Sequence, residues 1–121
     1  MGLFQMEIGT GVDAMSNVLD GEWIETDDWV RKVVRIGLVG NGAVTDVYDL
    51  YYGEQLIASV LLGRDAGDEV EENDMMTISS KKVCRPNEQL RLICHTAPAT
   101  AAVHCVLDVK DIRRPRRRWR R

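Results

Sequence analysis

"VVRIGLVGNGAVTDVYDLYY", residues 33–52, admits two secondary structures, and the choice between them sets the fold. At a period of about 3.6 residues, Val44, Val47, Tyr48 and Tyr51 share one helix face behind the glycines Gly40 and Gly42. At a period of about two, Tyr48, Leu50 and Tyr52 line one side of a strand while Asp49 faces the other, and the strand runs into a tight turn at Gly53. Period alone does not separate the two in so short a stretch. Composition favours the strand, because β-branched and aromatic side chains crowd a helix and suit a pleated surface.

Runs of the same kind flank it on both sides: "EWIET" (22–26), "WVRKVVRIGLV" (29–39), "QLIASVLL" (55–62), "MMTIS" (75–79), "QLRLICHT" (89–96) and "AAVHCVLDV" (101–109). Each is of strand length, and turn formers separate them: "GNG" at 40–42, "YGEQ" at 52–55, "GRDAGDEVEEND" at 63–74, "RPNE" at 85–88 and "APAT" at 97–100. In "QLRLICHT", Leu90, Leu92 and Cys94 alternate against Arg91, Ile93 and His95, which builds one face for burial. The expected fold is all-β, a single antiparallel β-sandwich of jelly-roll-like type. Residues 1–21, glycine-bearing and without a sustained period, are expected to form an irregular N-terminal arm with a helical turn across "VDAMSNVL". The sandwich domain is expected to span 22–112 and a basic C-terminal arm 113–121.

The helical reading has a specific content. Residues 33–65 resemble the first βαβ unit of nicotinamide-dependent dehydrogenases, with Gly40 and Gly42 as the first two glycines of the fingerprint and Asp65 ending the next strand. That resemblance implies a pyrophosphate against the glycines and a ribose on the acid, in a small nucleotide-binding α/β protein. The third glycine position holds Thr45, and 121 residues are expected to form one domain rather than a cofactor domain plus a substrate domain.

Charge divides the chain unevenly. "RRPRRRWRR" places Arg113, Arg114, Arg116, Arg117, Arg118, Trp119, Arg120 and Arg121 around Pro115, and setting its seven positive charges apart from the total of −3 leaves −10 on residues 1–112. Clustered guanidinium groups bind phosphate and carboxylate in planar, bidentate fashion, and Trp119 can stack on a base or lie at a lipid interface. The arm is therefore the expected binding site for nucleic acid, an anionic membrane or an acidic protein face, and the acidic loop of Asp65, Asp68, Glu69, Glu71, Glu72 and Asp74 is one such face on a neighbouring copy. With about seven phosphates engaged, the slope of log K against log salt is expected to be roughly −5 to −6.

Enzymatic and metal chemistry find little footing. There is no GxSxG or HExxH pattern, and the acidic loop lacks the alternating acids and glycine of an EF-hand. "CHTAPATAAVHC" (94–105) contains two cysteines and two histidines, a common zinc set. Folded as a hairpin about 98–101 it pairs Cys94 with Cys105 and His95 with His104, thiols inside and imidazoles outside, so the four do not converge on one ion. No catalytic residue, metal, cofactor or small-molecule substrate is expected. Three cysteines without a CxxC pair fit a reducing compartment, and no apolar run reaches the roughly 20 residues that cross a bilayer.

A compact β-sandwich carrying a glycine-bearing arm and an arginine-rich extension resembles the small structural proteins of icosahedral virions. The resemblance lies in architecture rather than in a residue motif. It implies a capsid or minor capsid subunit, made in host cytoplasm and residing in the virion, that assembles with copies of itself and with other capsid proteins while the arm engages genome, inner membrane or a neighbour. A cellular module that docks on nucleic acid or an acidic partner through the same arm is the alternative reading.

Overall fold

The computed structural model describes residues 2–9, 13–22, 24, 30–40, 46–63, 69–86, 88–95 and 102–112. Among these residues seven strands are present: β1 (Gly2–Ile8), β2 (Val30–Gly40), β3 (Val47–Tyr52), β4 (Gln55–Leu61), β5 (Met75–Thr77), β6 (Leu90–Cys94) and β7 (Val103–Ile112). They form two antiparallel sheets, one ordered β1-β7-β2-β5 and the other β4-β3-β6. The two sheets pack face to face as a β-sandwich.

Among the described residues only β3 and β4 form a hairpin, closed at Gly53 and Glu54. Every connection from β2 to β3, β4 to β5, β5 to β6 and β6 to β7 passes from one sheet to the other, and the first strand lies beside the last.

Two-residue alternation places the core. Phe4 and Ile8 of β1, Val33, Ile36 and Leu38 of β2, and Val103, Cys105, Leu107 and Val109 of β7 meet Tyr48, Leu50, Tyr52, Val60, Leu90, Leu92 and Cys94 of the facing sheet. In β2 the register shifts between Val33 and Arg35. The Val33 N–H at that bulge donates instead to the Tyr52 hydroxyl at 2.8 Å, a bond between the sheets.

Of the residues whose reading was ambiguous, 33–40 and 47–52 are strand, and 41–45 lie outside the described residues. Val33–Gly40 lies within β2 of one sheet and Val47–Tyr52 is β3 of the other, so the βαβ arrangement is absent from the described residues, and Gly42 and Asp65 lie outside them. Gly40 has a different purpose there. A Cβ on it meets the Val103 Cα at 2.6 Å and the Ala102 carbonyl oxygen at 2.8 Å, so the glycine lets β2 lie close against the start of β7.

The N-terminal residues depart from the expected arm. Gly2–Ile8 is paired along its full length with β7, because Phe4, Met6 and Ile8 alternate against Leu3, Gln5 and Glu7. Residues 13–19 make turns and run along the edge of β6 rather than forming a helix: Met15 N–H donates to Cys94 O, Cys94 N–H to Ser16 O and Val18 N–H to Leu92 O. The Asn17 carboxamide oxygen accepts from the N–H groups of Leu19 and Leu92, and Leu19 and Ile24 enter the core. "EWIET" forms no strand among its described residues; Ile24 lies in a helical turn with its side chain buried.

Candidate functional site

All eight residues expected to bind a partner, Arg113, Arg114, Arg116, Arg117, Arg118, Trp119, Arg120 and Arg121, lie outside the described residues. The structure does define what precedes them. Ile112 ends β7; β1 pairs with this strand only as far as Val109, and its last three residues, 110–112, pair with β2 alone. On the outer face two residues before that end, Lys110 stands directly opposite Lys32 of β2. Like charges opposite one another in a sheet are unfavourable by a few tenths of a kcal/mol to about 1 kcal/mol.

The opposite end of the same face is acidic. The segment from Glu69 folds over it, and at Gly37 an added Cβ meets the Val70 Cγ1 at 2.5 Å and the Met75 sulfur at 2.7 Å. Arg35 joins this cover to the sheet by donating to Glu72 of the overlying segment and to Asp108 of β7, the latter from Nε at 3.1 Å and Nη2 at 3.0 Å. Asp74 accepts from the Glu71 N–H at 2.8 Å and closes the short turn Glu72–Asp74. Asp65 and Asp68 lie outside the described residues. Beside the cover, an open cleft of about 520 Å³ is bordered by Gln5, Glu7, Glu69 and His104, with His104 Nδ1 at 4.0 Å from the Glu7 carboxylate. Among the described residues no group of three or more histidine, cysteine or acidic side chains is placed to hold a metal ion.

The cysteine and histidine set is not arranged as a hairpin. β6 and β7 belong to different sheets, so Cys94 and His95 do not pair with Cys105 and His104. The eight intervening residues are long enough to cross the sandwich, and β6 finds its ladder partner in β3. The expected parity holds within each strand. Cys94 and Cys105 point into the core, and His95 and His104 lie on opposite outer faces of the molecule. Cys84, Cys94 and Cys105 are free and buried. Burial pushes the Cys105 thiol up to about 12 and raises that of Cys84, which leaves both protonated at neutral pH and poor nucleophiles.

A polar cluster that sequence spacing does not reveal lies on the outer face of the three-stranded sheet. Asp49 of β3 accepts the Ser59 hydroxyl of β4 at 2.7 Å through Oδ1, and its Oδ2 lies 2.7 Å from His95 Nε2. Partial burial pushes the Asp49 carboxyl up, but the hydrogen bonds from His95 and Ser59 outweigh it and hold the group below the usual carboxylate range. The hydroxyl proton is directed at the carboxylate and not at the imidazole, so the trio is a cross-strand clasp and not an activated serine. Arg91 of β6 lies over the Tyr51 ring, 5.5 Å from its centroid, and donates to the Gly53 carbonyl. Alternation put Asp49, Arg91 and His95 each on the outward side of its own strand, but gave no sign that they meet.

Among the described residues no helix is long and apolar enough to cross a membrane. No protein family, curated protein or solved structure matches the chain.

Proposed function

We propose that the chain is a structural subunit of a virion, a capsid or minor capsid protein whose sandwich makes the protein contacts and whose arm, residues 113–121, engages a polyanion. The observation that carries this reading is the position of seven arginines directly after a strand of the sandwich, on a chain whose residues 1–112 total −10. An acidic body repels polynucleotide, so binding is confined to the arm and to the Lys32 and Lys110 corner beside its root. Packaged genome is the favoured counterion. An anionic inner membrane or the acidic segment of a neighbouring copy offers the same chemistry.

Light scattering of the purified chain, with and without nucleic acid at low and high salt, tests the proposal. Particles larger than a dimer, formed with nucleic acid and dissolved by salt, are the expected result. A stable monomer that binds nucleic acid without assembling supports the cellular binding module instead. Deleting residues 113–121 should leave the sandwich folded and abolish binding; loss of folding would place the arm within the core architecture.

A further inference from the structure

The basic residues outside the arm are unevenly used. Residues 1–112 hold nine lysines and arginines, the chain's sixteen less the arm's seven. Arg31 is buried, Arg35 is paired with Glu72 and Asp108, Arg91 lies over Tyr51, and Arg64 is outside the described residues. The other five, Lys32, Lys81, Lys82, Arg85 and Lys110, form no side-chain ion pair among the described residues, in a chain with nineteen acids.

Backbone pairing gathers these five at one end of the sandwich. On one side of β2, Lys32 stands opposite Lys110 of β7. On the other side, Arg31 N–H donates to Cys84 O at 3.1 Å and Cys84 N–H to Arg31 O at 2.7 Å, which lays residues 81–85 beside β2 next to Lys32. Arg31 and Cys84 are buried, so alternation turns Lys32 outward, and Lys81, Lys82 and Arg85 are exposed. Lys82 and Arg85 border an open cleft of about 380 Å³ together with Val83, Glu88 and Gln55, the first residue of β4. Glu88 is the one acid of that lining, and its carboxylate accepts the Arg85 backbone N–H at 3.0 Å. β7 ends two residues after Lys110, where the arm begins.

We propose that Lys32, Lys81, Lys82, Arg85 and Lys110 form a seat for the phosphate backbone of a polynucleotide, continuous with the root of the arm. The inference rests on the polyanion reading of the arm and names the surface of the body that the same strand crosses. Lysine and arginine neutralise phosphates without reading bases, and cations left without carboxylate partners are free to do so. Two of the five lie on the outer face of one sheet, and two border a cleft that reaches the other sheet. They therefore pass round an end of the sandwich, a path that a phosphodiester chain can follow and a flat lipid surface cannot. The seat does not hold a strand without the arm, because the total of −10 for residues 1–112 already includes its five charges.

Fluorescence anisotropy of a labelled oligothymidylate, titrated with the full chain at several salt concentrations, tests the seat. Lys81→Gln with Lys82→Gln and Arg85→Gln should make the slope of log K against log salt shallower by roughly 2. The circular dichroism spectrum should not change, because all three side chains are exposed. Met15→Glu with Leu61→Glu and Met76→Glu alters net charge equally at exposed positions outside the seat, and should move the slope far less. Phosphatidylserine vesicles should bind the wild type and the glutamine variant alike. A wild-type chain that binds no oligonucleotide ends the polyanion reading and the seat with it. In a chain that does bind, an unchanged slope, an equal change in the glutamate control, or a loss confined to vesicles overturns the seat alone.

Discussion

Tyr52 spans the sandwich to accept the backbone N–H that the β2 bulge releases at Val33. Burial raises its phenol pKa, so the hydroxyl stays neutral and the bond persists across the ordinary pH range. Tyr52→Phe keeps the ring and leaves a buried N–H without its acceptor, and chemical denaturation should show a loss of about 1–3 kcal/mol. Asp49 acts at the surface, and its contribution depends on pH. Its folded pKa lies below the ordinary aspartate value of 3.8, so the stability it supplies is present above that value and is lost as pH falls through the folded pKa. Denaturation of the wild type and Asp49→Asn across the acid range should therefore show a difference that shrinks as the carboxylate is protonated and vanishes in strong acid. A difference that persists there would mean that the clasp does not act through the charge.

At the scale of elements, alternation was a good guide wherever a strand had one buried face. Tyr48, Leu50 and Tyr52, like Leu90, Leu92 and Cys94, point inward as their spacing requires. It was a poorer guide where a segment borrows its hydrogen bonds. Residues 13–19 lack a period because side chains and turns, rather than a regular ladder, hold them to β6, and the Asn17 carboxamide takes the place of a backbone acceptor. Asn17→Ala should cost about 1–2 kcal/mol in thermal or denaturant unfolding and speed amide exchange at Leu92. The glycines around β1 concealed a strand with ordinary alternation, and the short linker between β6 and β7 read as a hairpin because nothing local distinguishes a turn from a crossover between sheets.

For the molecule as a whole, electrostatics sets the terms. The Lys32 and Lys110 pair, placed face to face by the register of β2 and β7, is a local cost beside the root of a polycationic arm. Lys32→Gln with Lys110→Gln should raise stability by a few tenths of a kcal/mol to about 1 kcal/mol. If the pair extends the arm's binding surface, the same change should make the salt slope for polynucleotide binding shallower by roughly 1–2. Stability and binding measured on one double variant would thus move in opposite directions; a slope that does not change confines the binding surface to the arm.

From the sequence alone came the fold class, the inward residues of most strands and the uneven distribution of charge, because alternation and composition are properties of a segment and need no partner. Strand order, the exchange between sheets, the placing of His95 with Asp49 and Ser59, and the opposition of Lys32 and Lys110 were decided by tertiary structure. Each is a relation between segments far apart in the chain, set by which faces must be buried together, and no local pattern encodes it.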